Sequence, residues 1–293
     1  MPTGLTPLQE DLLAWGGDVR RDLPWRRTRD PWAVLVSELM LQQTQVPRVV
    51  PRWQAFLDLF PTPADCAAAP VGDVIRAWAG LGYNRRAVNL HRTAVAVVER
   101  HGGALPVDLE GLMALPGIGP YTARAVLVFA HERNLGLVDT NAGRFVARAL
   151  AGRSLPLREA QQVADDAVPT GYGWAWGQAV FDLGAAVCTR RSPACDRCPV
   201  IEHCAWARAG WPDPDPVTGS GGISGGQSTF AGSDRQGRGR LVDALRAGAV
   251  PADPASLAAT CRWPDDPERA LRVADALIAD GLAVRDGGLL RLP

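Results

Sequence analysis

Leu115-Pro-Gly-Ile-Gly119 separates a short helical run, Leu109 to Ala114, from a long one, Tyr121 to Ala130. A tight glycine turn between two helices is the outline of a helix-hairpin-helix. Gly117 and Gly119 can adopt backbone angles closed to other residues, so their N–H groups and those opening the next helix can converge on a phosphate. Such a grip ignores base sequence. The pentapeptide alone fits an ordinary interhelical turn equally well. The hydroxyl and guanidinium of Tyr121-Thr-Ala-Arg124, which follow at once, favour the phosphate reading.

Outward from this turn, apolar residues recur at helical spacing from Leu8 to about Trp211, as in Val34, Leu35, Leu39 and Leu41, or Val126, Leu127 and Ala130. Strand-like alternation is rare, so residues 1–211 read as one all-α domain. Proline and glycine punctuation at Pro61, Pro63, Pro70, Gly102, Pro116 and Pro156 divides it into about ten helices. Residues 212–237 are rich in Pro, Gly and Ser and nearly free of aliphatics, the composition of a flexible linker. Residues 238–293 show three helical patterns and then a hairpin signal at Asp286-Gly287, which suggests a small winged-helix-like unit.

Cys188, Cys195, Cys198 and Cys204 gather four thiolates in one short stretch. Soft thiolates select iron–sulfur clusters or zinc. Zinc modules more often use two Cys-x-x-Cys knuckles, and only one lies here, at Cys195 and Cys198. The spacing favours a cluster, with His203 keeping zinc open as an alternative. Cys66 and Cys261 are isolated in apolar surroundings and read as buried small residues.

Charge is balanced, 31 basic against 31 acidic residues, so composition gives no electrostatic argument for nucleic acid. No apolar run is long enough to cross a membrane, and Met1 to Glu10 lacks a signal-peptide pattern, so a cytoplasmic protein without a membrane partner is expected. Every basic side chain other than histidine is arginine. With no lysine in 293 residues, no side-chain amine exists to form a Schiff base with an opened sugar.

Two carboxylates stand out. Glu38 interrupts the apolar helical run Trp32-Ala-Val-Leu-Val-Ser-Glu-Leu-Met-Leu41, where an ionised acid is costly, so it is expected to hold its proton more tightly than usual. Asp139 follows the apolar Leu135 to Val138 and opens a helix, where the N-terminus favours the charged form. One protonated and one ionised acid is the division of labour that glycosidic-bond cleavage needs. Taken singly, Asp139 reads as a helix cap and Glu38 as a partner for an arginine.

Six motifs then occur in a telling order: Ser37-Glu-Leu-Met-Leu-Gln-Gln-Thr-Gln-Val46, Gly80-Leu-Gly-Tyr83, Leu115-Pro-Gly-Ile-Gly-Pro-Tyr-Thr122, Val138-Asp-Thr-Asn141, Gln178-Ala-Val-Phe-Asp-Leu-Gly184 and the cysteine run. Together they resemble the MutY adenine DNA glycosylases, over about Leu8 to Trp211. Endonuclease III relatives share the hairpin, the aspartate and the cysteine loop, but carry Lys where Tyr121 stands and lack the acid at position 38.

The resemblance implies an all-α helix-hairpin-helix glycosylase fold with a 4Fe–4S cluster on Cys188, Cys195, Cys198 and Cys204. It implies that Glu38 protonates adenine and then helps water attack, that Asp139 stabilises the sugar cation, and that Tyr121 and Asn141 assist them. Trp25, Arg26, Thr44, Val46 and Gln178 match the adenine pocket. Gln43 and Tyr83 match residues that wedge beside the orphaned partner base. Gly117, Gly119, Arg190 and Arg191 are expected at DNA phosphates. The implied partner is duplex DNA with adenine opposite 8-oxoguanine or guanine, met by a nucleoid-associated monomer. A stacked base is out of reach of two carboxylates, so it must be flipped out and the gap filled.

The chain departs from the pattern in two places. Thr140 stands where many members have glycine, a change expected to matter little. Many members also continue into a large α/β domain that reads the damaged guanine, whereas here the linker leads to about fifty residues. Discrimination of 8-oxoguanine is then expected to rest on Gln43, Tyr83 and the helical domain. A thymine or uracil mismatch glycosylase and a non-catalytic iron–sulfur DNA-binding protein are the competing readings.

Overall fold

Prolines and side-chain caps fix where the helices start. Thr6 and Thr62 each close a capping box with the residue three positions on, Gln9 and Asp65, ahead of a proline at the first helical position. In the C-terminal region Asp253 and Asp266 accept the N–H groups of Ser256 and Arg269, again ahead of a proline. The computed structural model describes residues 4–223 and 229–293.

The helices run α1 (Pro7–Val19), α2 (Pro31–Leu41), α3 (Val46–Leu59), α4 (Pro63–Ala68), α5 (Val71–Ala77), α6 (Arg85–His101), α7 (Leu109–Met113) and α8 (Pro120–His131). They continue with α9 (Thr140–Phe145), extended by a π-helical turn over Val146–Ala151, then α10 (Leu157–Asp166), α11 (Gly173–Ala186) and the short α12 (Ala205–Arg208). Short 3-10 turns lie at Pro24–Arg26, Cys195–Arg197 and Ile201–His203. The all-α expectation for this part holds: among the described residues before 212 there is no strand.

Two compact units form, and they cut across the boundaries expected from sequence. The first comprises residues 1–34, 107–109 and 119–226. Its core joins Leu12 of α1 to Phe145, Trp176, Val180 and Leu183, with Val200 and Cys204 of the cysteine loop in the same cluster. At the α1–α11 contact a Cβ on Gly16 would come within 2.5 Å of the Ala179 Cβ, so this glycine sets the helix separation.

The stretch expected to be a flexible linker is in fact built into this unit up to residue 223. Asp215 pairs with Arg148, Gly221 donates its N–H to the Leu155 carbonyl at 2.8 Å, and Val217 and Ser220 are buried. A Cβ on Gly221 would lie 2.4 Å from the Leu157 nitrogen. The Gly, Ser and Pro composition that argued against packing permits backbone-to-backbone packing, and polar bonds replace the missing apolar area. The rest of the linker expectation falls partly on residues 224–228, outside the described residues, and partly on α13, which starts at Asp234 with Ser233 as its cap, before the expected residue 238.

The second unit comprises residues 35–106, 110–118 and 227–293. Phe56 packs tilted against Phe60 and edge-on against Trp78 in its core, at centroid separations of 5.0 and 5.9 Å. The C-terminal part consists of α13 (Asp234–Ala247), β1 (Val250–Pro251), α14 (Pro254–Cys261), α15 (Pro267–Ala279), β2 (Val284–Asp286) and β3 (Leu289–Arg291). Its antiparallel sheet has the order β1-β3-β2, the helix–strand–helix–helix–hairpin sequence of a winged helix. Both residues of the Gly287-Gly288 turn have positive φ, which is why glycine follows Asp286 there.

This part is not a free domain. Arg246 reaches the Ile75 carbonyl at 3.0 Å and Asn84 Oδ1 at 2.9 Å, and Asp280 pairs with both Arg85 and Arg238. A Cβ on Gly72 would lie 2.6 Å from the Pro293 carbonyl oxygen. No helix of the described residues is long and apolar enough to cross a membrane.

Candidate active site

In the first unit the four cysteines line one hollow, walled by Phe145, Leu183, Val187, Val200 and Trp206. Four thiolates around a single zinc would stand roughly 3.8 Å apart, given Zn–S bonds near 2.3 Å. Among the described residues no group of three or more Cys, His, Asp or Glu can hold one ion. Four thiolates around a common hollow are the donor set of a polynuclear iron–sulfur cluster. His203, the alternative zinc ligand, instead bonds Asp11 through Nε2 at 3.0 Å.

Two buried arginines brace this loop. Arg148 directs Nη1 to the Cys188 sulfur at 3.5 Å and to the Thr189 carbonyl at 2.6 Å, and Nη2 to the Arg190 carbonyl at 3.0 Å. Arg144 donates to the Cys188 carbonyl at 2.7 Å. Both lie on the buried face that starts at Ala142, and neither stood out in the sequence, because arginine is the only long basic residue throughout. Arg190 and Arg191 are exposed and, with Asp215, Thr218 and Ser220, line an open hollow of about 720 Å³.

Asp139 caps α9, its Oδ1 accepting from the Asn141 and Ala142 N–H groups at 2.8 and 2.7 Å. Asn141 returns a longer bond to Oδ2 at 3.4 Å and accepts from Arg144 at 2.8 Å. Burial pushes the Asp139 carboxyl above the ordinary aspartate range, although the helix N–H groups and Arg144 pull the other way. The helix N-terminus favours the charged form, as expected, but burial outweighs it. Gly184 of α11 touches this dyad: a Cβ there would sit 2.6 Å from the Asn141 carbonyl oxygen.

Gln178 and Asp182 lie four residues apart on one face of α11. Arg26 forks onto Asp182 at 2.7 and 3.0 Å, and Arg21 adds a bond at 2.6 Å. Burial disfavours the charge, yet the two arginines hold the Asp182 carboxyl below its ordinary range. The terminal nitrogens of Arg26 bond Asp182 and the Arg21 carbonyl, so Arg26 anchors the Pro24–Arg26 turn carrying Trp25 beside that helix face. Gln178 is buried, and among the described residues its Oε1 has no hydrogen-bond partner.

At the hairpin, Gly117 has φ +75°, and a Cβ would lie 2.6 Å from the Asn89 side chain, so both backbone and packing demand glycine. Gly119 is different. It caps α8 with an ordinary φ of −91°, correcting the expectation of an unusual angle, and nothing lies within 4 Å of where its Cβ would stand. That open side is what a close backbone approach requires. Tyr121 is half-buried in the first turn of α8. Arg124 does not follow as a phosphate ligand: it forks onto Asp165 at 2.6 and 3.0 Å.

In the second unit Glu38 is 6% exposed on α2, among Leu35, Val36, Leu39 and Met40, all buried. The turn after it carries Gln43, exposed with φ +55°, and the Gly80–Tyr83 turn carries Tyr83, 41% exposed with φ +46°. Thr44 bonds the Leu81 carbonyl at 3.1 Å, and Val46 is half-buried where α3 begins.

Both turns converge on Arg86. Its Nη1 donates to the carbonyls of Leu39, Met40 and Gln42, and its Nη2 to Thr44 Oγ1 and the Leu81 and Gly82 carbonyls. It thus caps the helix of Glu38 and ties both turns together. Burial lowers its pKa to about 10 against the opposing Tyr83, so it stays cationic at neutral pH. Arg86 was missed in the sequence, though it stands on the apolar stripe of α6 with Leu90, Ala94 and Val97, an unusual place for a charge.

The chain matches the HhH-GPD superfamily of base excision DNA repair proteins over residues 36–166, and the iron–sulfur binding domain of endonuclease III over residues 188–204. Fold and cysteine loop thus define a helix-hairpin-helix repair protein that carries an iron–sulfur cluster. An adenine DNA glycosylase of Mycolicibacterium smegmatis is 43% identical over 281 residues, covering 93% of this chain and 91% of that protein. One of Mycobacterium tuberculosis is 42% identical, covering 94% and 90%, and the human one is 38% identical, covering 75% of this chain and 43% of its own. The chain belongs to the adenine DNA glycosylase family. The mycobacterial coverage cannot be reached without the C-terminal unit, which these relatives therefore share at least in part.

A thermostable thymine-DNA glycosylase superposes with a TM-score of 0.63 at 26% identity, covering 68% of this chain and 94% of its own. A trapped endonuclease III–DNA covalent intermediate gives 0.60 at 22%, covering 69% and 95%, a likeness of fold.

Proposed function

We propose that the protein is a monofunctional adenine DNA glycosylase of base excision repair, which hydrolyses the N-glycosidic bond of adenine opposite 8-oxoguanine or guanine after flipping the nucleotide out of the duplex. The buried, unpartnered Oε1 of Gln178 carries the reading. An orphaned amide carbonyl costs about 1–3 kcal/mol, and adenine's exocyclic amine is the donor that would satisfy it. Trp25, held against the same helix face by the Arg26–Asp182 fork, supplies an apolar wall.

Glu38 donates its proton to the adenine ring, the bond from the ring nitrogen to the sugar breaks with its electrons on the base, and adenine leaves neutral. Asp139, ionised, stabilises the sugar cation while Tyr121 and Asn141 hold it in place. Glu38, now a carboxylate, takes a proton from the water that attacks the sugar carbon, which restores the acid. General acid catalysis of this kind supplies roughly 100- to 10,000-fold. Gln43 and Tyr83 fill the gap left in the stack, Thr44 and Val46 border the pocket, and the hairpin N–H groups at Gly117 and Gly119, with Arg190 and Arg191, hold phosphates. Cys188, Cys195, Cys198 and Cys204 would hold the cluster, which when bound would fix the loop that presents those two arginines. A chain without lysine has no side-chain amine for a Schiff base, so the abasic strand stays intact.

The test is incubation with duplexes holding A:8-oxoguanine, A:G, T:G and U:G, each with and without alkali. Alkali-dependent cleavage at adenine only is expected, and Glu38→Gln abolishes it while DNA binding persists. Excision of thymine or uracil would replace this reading with the pyrimidine one, and strand breaks without alkali would end the monofunctional claim.

A further inference from the structure

Tyr83 combines exposure with a strained left-handed backbone, a conformation non-glycine residues adopt mainly where surrounding structure enforces it. Two arginines supply that enforcement. Arg86 places its guanidinium 5.6 Å from the ring centroid, and Arg235 donates from Nη1 to the Tyr83 hydroxyl at 3.1 Å. Arg235 belongs to the first turn of α13, the opening helix of the C-terminal unit, and also packs 5.9 Å from the Phe230 ring.

The C-terminal unit is anchored around the start of α6, immediately after Tyr83. Asp280 takes Arg85 in an ion pair at 3.3 Å and also pairs with Arg238, Arg246 reaches Asn84 at 2.9 Å, and Gly281 lies close against Arg92 and Val88. These contacts fix where Arg235 stands relative to the tyrosine.

The geometry points to Arg235 as a positioning residue that sets partner-base specificity: through the Tyr83 hydroxyl it fixes the pitch of an aromatic ring aimed at the purine opposite the excised adenine. This rests on the functional reading above. A hydroxyl that accepts from a cationic donor also becomes a better donor itself, so the same bond readies the tyrosine for an acceptor on the partner purine. The winged-helix-like unit thereby serves specificity.

Single-turnover excision from A:8-oxoguanine and A:G duplexes tests it, read as the ratio of the two rates. Arg235→Ala should lower that ratio by about fivefold, the order of one lost hydrogen bond. Tyr83→Phe should do the same, the double variant should fall no further, and Arg235→Lys should restore most of the ratio. A merely structural role would lower both rates together and shift the thermal midpoint, leaving the ratio alone, and that outcome overturns the inference. So does additive loss in the double variant. A wild-type protein with a partner-dependent rate and an unchanged ratio in Arg235→Ala overturns the inference and leaves the functional reading standing, whereas no adenine excision by the wild type overturns both.

Discussion

Arg86→Lys tests whether one guanidinium holds together the two turns that carry Gln43 and Tyr83. The acceptors around Arg86 fall into two groups, the Leu39, Met40 and Gln42 carbonyls at the end of α2 and just past it at Nη1, and Thr44, Leu81 and Gly82 in the two turns at Nη2. A planar fork serves both groups at once, while an ammonium is a single point and serves one. Three acceptors, buried or half-buried, then lose their donor, at about 1 kcal/mol each, for a total near 3 kcal/mol. At roughly 2–4 °C per kcal/mol for a chain of this class, the thermal midpoint should fall by about 6–12 °C. Circular dichroism melts measure this, and single-turnover assays well below the new midpoint measure the consequence. Because Gln43 and Tyr83 ride on the two turns, excision from A:8-oxoguanine should fall at least about tenfold while the protein is still folded. A midpoint within about 2 °C of the wild type, or full activity, would refute the account of Arg86 as the tie between the turns.

Asp182→Asn leaves the buried Arg26 without its counter-charge and should cost about 3–5 kcal/mol in urea denaturation, with adenine excision weakened as the Trp25 turn loosens. Gly184→Ala should push α11 against the Asn141 backbone, lowering the excision rate more than it lowers duplex affinity; equal losses in both would count against it. Asp139→Asn keeps the helix cap but removes a carboxylate whose pKa burial has raised. The native-state advantage of its protonated form is complete below the ordinary value of 3.8 and is lost as pH rises through the raised one. The variant should therefore be inactive yet more stable than wild type at pH 7, with the difference vanishing in acid; urea midpoints at both pH values check it. Arg148→Met should reduce the visible iron–sulfur absorbance per chain by unbracing Cys188, and a full cluster complement would contradict the role given to it.

Sequence by itself determined the fold class, the hairpin and the cluster loop, because each depends on local chemistry: helical periodicity, a glycine turn and four cysteines within one short stretch. It also placed Glu38 in an apolar helix and Asp139 at a helix start, and both positions hold in the structure. What only the tertiary structure decided is which charged residues carry the architecture. In a chain whose long basic residues are all arginine, Arg86, Arg144 and Arg148 look like any others, and Arg26 and Arg124 look available for ligands. Their roles follow from acceptors brought near by folding, such as the Leu39 carbonyl 47 residues from Arg86 or the Asp182 carboxylate 156 residues from Arg26. The same distance from local pattern hid the packing of residues 212–223, since Gly, Ser and Pro give no apolar signal when backbone bonds and one ion pair hold a segment down.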